Sequence, residues 1–144
     1  MTFRFLALAL AVALSSTSAL AQDARDTVSA FHAALHAGQK DKALGYMAPG
    51  VLIYESGHVE RSRDEYASHH LGADMEFAKA TTRKVLKHSV KEHGDMAVVV
   101  EETETSGNFK GKDVASFGTE TVLLERKDGK WQIAHVHWSS RKAK

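Results

Sequence analysis

Residues 128–140 read DGKWQIAHVHWSS. Asp128-Gly129 is a turn dipeptide and the residues after it alternate, so the stretch reads as a hairpin turn entering a final β-strand. With a period of two, Trp131, Ile133, His135, His137 and Ser139 share one face. Gln132, Ala134, Val136, Trp138 and Ser140 share the other. Each face carries a tryptophan and an aliphatic residue, so parity alone does not name the inner one. The centre of a subunit contact is commonly apolar, which assigns Ala134, Val136 and Trp138 to an outer contact and the two histidines to an inner wall.

Upstream of this strand the same period recurs. TTRKVLKHSVKEH (81–93), MAVVVEETET (96–105) and DVASFGTETVLLERK (113–127) read as three more strands, separated by Gly94-Asp95 and a Gly107–Lys112 loop. The run Ala97–Val100 is apolar on both faces; helices cover one, and the other is left for a partner subunit. Before Ala80 the pattern is mainly helical. Ala24, Val28, Phe31 and Leu35 form one stripe of a helix over Asp23–Gln39, stopped near Gly38. A short second helix over Lys40–Met47 closes at Pro49-Gly50, and VLIYESGHVE (51–60) reads as a strand, a turn at Ser56-Gly57 and a short return. Ser62 and Glu65 form a capping box that starts a third helix, on which Tyr66, Ala67, His70 and Leu71 share a face. Helices first and strands afterwards specify an α+β fold, with three N-terminal helices packed on a curved antiparallel sheet.

Arg4, the apolar run Phe5–Leu14 and the small-residue stretch ending Ala19-Leu20-Ala21 form an export signal over residues 1–21. The remainder, 22–144, reads as a single secreted or periplasmic domain. The apolar run is shorter than the ~20 residues of a membrane span, so no membrane attachment is expected after cleavage. The chain has no cysteine, which excludes disulfides, thiolate metal sites and cysteine nucleophiles. Without Arg4, basic and acidic side chains number 18 each, and no basic stripe points to nucleic acid. The basic end Arg141–Lys144 reads as a frayed tail.

The order helix, helix, strand hairpin, helix, four strands, ending in DGKWQIAHVHWSS, resembles the nuclear transport factor 2-like superfamily. Its SnoaL-like and secreted bacterial branches are the nearest in character. The terminal strand also resembles that of the association domain of calcium/calmodulin-dependent kinase II. The resemblance spans residues 23–141. It implies a cystatin-like, cone-shaped α+β barrel: a strongly bent sheet around the first helix, a pocket between sheet and helices, and a homodimer through the outer sheet face. It implies no particular reaction, because the superfold carries isomerases, cyclases, dehydratases and binding domains alike.

The residues therefore have to supply the function. The expectation is a small-molecule-binding domain without a cofactor, its partly apolar pocket bearing a histidine and tyrosine polar spot. Tyr54, His70, Glu120, His135 and His137 are the ligand-binding candidates. One alternative is a periplasmic copper or zinc site built from His58, His70, His135 and His137, with Glu55 or Glu120 as a further ligand. Another is an isomerase- or cyclase-like acid–base enzyme of the same superfold, with His70 or His137 moving the proton. The motif of the ketosteroid isomerases is absent, as are serine-hydrolase, phosphate-loop and dinucleotide signatures. Glu101, Glu102 and Glu104 read as a solvated strand end, His32 and His36 as flanks of the first helix, and His88 as inward with Leu86 and Val90.

Overall fold

A computed structural model describes residues 23–144; the expected export signal lies outside them. Helix α1 spans Ala24–His36 and is capped by Asp23, whose side chain accepts from the Arg25 amide at 3.0 Å. Its expected stripe of Ala24, Val28, Phe31 and Leu35 is buried, together with Thr27 and Ala34. Helix α2 (Lys40–Gly45) is shorter than expected. Strand β1 (Met47–Glu55) then begins at Met47 and passes through Pro49. The proline is tolerated because the register slips between Met47 and Leu52, where no ladder N–H is required.

After the short strand β2 (His58–Glu60), Ser62 caps helix α3 (Arg63–His69) by accepting from the Glu65 amide at 3.0 Å. Glu65 reaches back to the Arg61 amide, completing a variant of the capping box. The expected third helix is two: the chain breaks at His70 and resumes as α4 (Leu71–Ala80). His70 is drawn aside by Glu60, a buried carboxylate that accepts from its Nδ1 at 2.5 Å. Among the described residues, four helices and the β1–β2 hairpin are thus followed by strands β3 (Thr81–His93), β4 (Met96–Phe109), β5 (Lys112–Lys127) and β6 (Lys130–Lys142).

The six strands form one open, curved sheet in the order β2-β1-β6-β5-β4-β3. All neighbours are antiparallel except β1 and β6, which run parallel. The expected Gly107–Lys112 loop is mostly strand, and only Lys110 and Gly111 turn the chain. Both have positive φ, like Ser56-Gly57 and Asp128-Gly129, the geometry that matches the twist of a two-residue hairpin. One sheet edge is the three-residue β2; the other, β3, carries Lys84, Lys87 and Lys91, and both devices discourage pairing with another chain's edge.

The closing strand departs from simple alternation. Ile133 registers with Leu124 but His135 registers with Leu123, so Ala134 is an extra residue in β6. Such a bulge reverses the parity of everything beyond it. Trp131 and Ile133 face inward, and so do Val136 and Trp138. His135 and His137 face outward. Val99, Val122, Val136 and Ile53 stand side by side across four strands, and this apolar row packs with Val28 and Phe31 of α1 as the core.

Candidate functional site

One step along the strands from that apolar row lies a row of a different kind. It runs Glu101, Glu120, Trp138, Glu55 and His58 across β4, β5, β6, β1 and β2. Above it, between the sheet and helices α1 and α4, opens a cavity of about 500 Å³. Glu55, Glu120 and Trp138 line it from the sheet, Arg83 from β3, and His32, Asp74 and Phe77 from the helices.

Glu120 is the hub. His32 Nε2 donates to its two oxygens at 3.0 and 2.9 Å, Trp138 Nε1 donates at 2.8 Å, and Arg83 Nη2 donates at 2.6 Å. The same Arg83 nitrogen donates to Glu101 at 2.8 Å, and Arg25 lies 3.8 Å from Glu101 on its other side. Glu120 and Glu101 are each only 4% exposed, so these partners are needed to offset the cost of burying charge. Burial alone raises the pKa of Glu120, but His32, Arg83 and Trp138 together outweigh it and hold the carboxyl down to about 2. Trp138 also stacks on Phe31, with ring centroids 6.5 Å apart and planes 9° from parallel.

A second group of carboxyls behaves oppositely. Asp74 accepts from the Tyr66 hydroxyl at 2.7 Å, yet burial outweighs that bond and the nearby histidines and raises its pKa. Glu55 is raised by burial and then by the negative field of Asp74, against the pull of His70 and His58. Burial also pushes the Tyr66 phenol up, so it stays a donor. Behind them His70 and His69 both donate to Glu60; burial raises the Glu60 pKa, but these two bonds overcome it and lower the net value. The bond to Glu60 raises His70 in turn, against its own burial. The cavity therefore has one firmly ionised carboxylate and two carboxyls held toward neutrality.

Among the expected site residues, Glu120 lies in the cavity wall and His70 borders the small recess behind Glu55 and Asp74. Tyr54, His135 and His137 do not line it. They sit on the convex face, where Leu52 registers with His135 and Tyr54 with His137. The His135 ring packs edge-on against Tyr54 at 5.0 Å, and its Nδ1 donates to the Leu52 carbonyl at 2.9 Å. The inner-wall assignment is thus corrected by the bulge at Ala134, which straight alternation does not anticipate. The four-histidine cluster is split for the same reason: His58 and His70 are neighbours at 5.8 Å, while His135 and His137 lie across the sheet. Among the described residues no three His, Asp or Glu side chains are arranged to hold a metal ion.

Other residues were not legible as site residues. Glu101 is buried and ion-paired rather than solvated, and its parity with Val99 and Ala97 was the available signal. His32 sits beside Phe31 at the edge of the apolar stripe and turns into the cavity; His36 also lines it, donating to the Ala78 carbonyl at 2.7 Å. Asp74 and Tyr66 carry no local motif at all. His88 keeps the parity of Glu101 but stays exposed.

Helices over one face of a bent sheet, with a charged cavity between them, define a cone-shaped pocket protein. The model of the SnoaL-like domain matches residues 24–141, and the chain belongs to that family, within the nuclear transport factor 2-like superfamily. A crystal structure of a candidate ketosteroid isomerase from Shewanella frigidimarina is 40% identical, with a TM-score of 0.78, covering 83% of this chain and 98% of that one. The CaMKII hub of S. rosetta shares the fold at 15% identity and a TM-score of 0.70, covering 86% and 98%. A candidate dehydratase from Streptomyces avermitilis does so at 19% and 0.70, covering 81% and 92%. A comparison with curated proteins finds no match.

The low pKa of Glu120 carries a stability prediction. Its folded value, about 2, is below the unfolded reference of ~4.3, so its contribution is complete above that reference and is lost as the pH falls toward 2. The difference corresponds to roughly 3 kcal/mol. Glu120→Gln is expected to cost about 3 kcal/mol at neutral pH and to flatten the fall in stability between about pH 4.5 and 2, measured by urea unfolding. An unchanged acid limb in the variant would show that Glu120 does not dominate it.

Proposed function

We propose that this chain is an exported homodimer that binds a small organic molecule in the cavity above the charged row. The observation that carries the reading is the cavity of about 500 Å³ placed directly on a buried, fully partnered carboxylate. A purely structural ion pair gains nothing from an adjoining void, because close packing on that side would strengthen it. A cavity with a few fixed polar groups and an apolar wall is what recognition of a small molecule requires. Arg83 holds both carboxylates through Nη2 alone, and its Nε and Nη1 make no side-chain hydrogen bond among the described residues. Those N–H groups are free to donate to a ligand oxygen. The reading calls on no cofactor.

Binding is expected to appear as a rise in melting temperature for at least one compound in a broad panel of small organic molecules. Arg83→Ala should weaken it at least tenfold, while a His135→Ala, His137→Ala double variant should leave it unchanged. Loss of binding in the histidine variant alone would move the site to the convex face.

A second reading is favoured by the raised carboxyls: Asp74, held by Tyr66, and Glu55 face the same cavity, and burial, by raising both, suits them to hold and pass a proton. The neighbour from S. frigidimarina, named for an isomerase, supports an acid–base activity of this kind. If turnover occurs, Asp74→Asn should reduce kcat about 100-fold or more and remove a limb of the pH–rate profile. A variant that keeps both rate and profile would exclude Asp74 as the proton carrier.

The dimer reading rests on the convex face, where Leu52, Tyr54, Val98 and Val100 are 36–41% exposed beside His135 and His137. Neighbours named as an association domain, from Xanthomonas campestris, and as a hub support self-association. Protein recovered from the periplasm should begin at Gln22 and sediment as a dimer, with Val100→Glu sedimenting as a monomer. A wild-type monomer starting at Met1 would contradict both parts.

A further inference from the structure

The convex face has an apolar centre and a charged margin. Two adjacent rows make the centre: Val98, Leu123, His135 and Leu52, then Val100, Thr121, His137 and Tyr54. Met96 on β4 and Val59 on β2, both exposed, extend it. At its margin stand Lys87 and Lys91 on β3, Glu102 on β4 and Glu125 on β5. An apolar centre within a polar rim is the anatomy of a protein contact. The rim carries both signs of charge, so it can oppose a second copy of itself. The sheet edges are blunted by the short β2 and by the lysines of β3, which leaves this face as the route to self-association.

The two histidines occupy the middle strand of that centre, with Leu52 and Tyr54 on one side and Leu123 and Thr121 on the other. Whatever covers the apolar patch must cover them. His135 is held by the Nδ1 bond to the Leu52 carbonyl, so in its neutral form Nε2 is a bare acceptor. His137 lies against the same Tyr54 ring, 6.4 Å between centroids. On the other side of the sheet His32 rests on Glu120, and His69 and His70 rest on Glu60. Among the described residues His135 and His137 have no such carboxylate. Tyr54 faces them from β1, and the uncharged Leu123 and Thr121 face them from β5. Along β6 the same face carries Gln132, Ser139 and the cationic Arg141. Glu125 and Glu102 stand in rows beyond, and Lys87 and Lys91 add like charge from β3.

We infer that the contact between two copies is gated by pH: neutral His135 and His137 let the convex faces close on each other, and their protonation opens the dimer. A two-fold contact brings the same pair from each copy, so four imidazoles enter one desolvated centre. Neutral imidazoles can be buried there beside a tyrosine and a threonine; four cations without a carboxylate are costly. The dimer therefore binds fewer protons than the separated chains. Its affinity is complete above the histidine range and is lost as the pH falls through it. The gate rests on the dimer reading above and adds its regulation.

The test is sedimentation of the protein at pH 7.5 and 5.5. An imidazole with the ordinary value of ~6.5 that must stay neutral in a contact weakens it about tenfold over that interval. With two such groups per copy, the dissociation constant of the dimer is expected to rise at least 100-fold. Glu120 keeps its charge down to about pH 2, so the carboxylate hub of the fold stays ionised throughout. A His135→Gln, His137→Gln double variant, polar but without a titrating group, should dimerise equally at both pH values. Dilution calorimetry of the unaltered protein at pH 6.5, in two buffers of different ionisation heat, should show protons taken up as the dimer separates. This second measurement decides the matter where the variant does not dimerise. The same constant at both pH values, no proton uptake, or an equal acid loss in the variant would each overturn the inference and leave the dimer reading standing. A chain that is monomeric at pH 7.5 contradicts the dimer reading instead, and the gate falls with it.

Discussion

A carboxylate buried in this domain must be fully answered by donors, and Glu120 is answered from three directions. His32 comes from the first helix, Arg83 from an edge strand and Trp138 from the closing strand. The helical layer and both halves of the sheet are thereby tied at one point. Removing Arg83 would leave charge uncompensated in a place water reaches poorly, at a cost of about 3–5 kcal/mol. That constraint also decides where the core ends. On one side of Glu120 the sheet carries Val99, Val122 and Val136 packed under α1; on the other it carries the cavity.

The concave face is consequently ordered in transverse rows, from aliphatic to charged. Each strand that a row crosses contributes one residue to it, so the ordering exists only once the strands are in register. The convex face follows the same logic with other residues. Val98, Leu123, His135 and Leu52 form one row there, and Val100, Thr121, His137 and Tyr54 the next. The two faces can evolve separately, one toward a ligand and the other toward a second subunit.

Much of the frame was legible in the sequence because local chemistry dictates it. The α1 stripe, the cap at Ser62 and the turns at Ser56-Gly57 and Asp128-Gly129 each depend on residues a few positions apart. The inner face of the last strand was not legible, because a single extra residue at Ala134 reverses it and nothing about an alanine announces a bulge. His70 illustrates a second kind of failure: its place at a helix break depends on Glu60, which arrives from another element. Glu101 shows a third. Its neighbours Glu102 and Glu104 made it look solvated, while its parity with Val99 placed it under Arg83. Site residues that depend on long-range pairing, such as His32 with Glu120, require the register of the whole sheet before they can be named.

The central claim is that a ligand sits on the charged row of the concave face and not on the histidine strand's outer face. Trp138 and the two histidines separate these possibilities, since Trp138 donates its indole N–H to Glu120 on the concave face while His135 and His137 stand beside Tyr54 on the convex one. A titration with a compound that raises the melting temperature, followed by nitrogen-15 correlation spectra of the two indole groups and of the His135 and His137 backbone amides, reads both at once. The account predicts that the Trp138 indole signal moves with saturating behaviour and that the signals of Trp131, His135 and His137 stay in place. Movement of the His135 and His137 signals with a stationary Trp138 would contradict it.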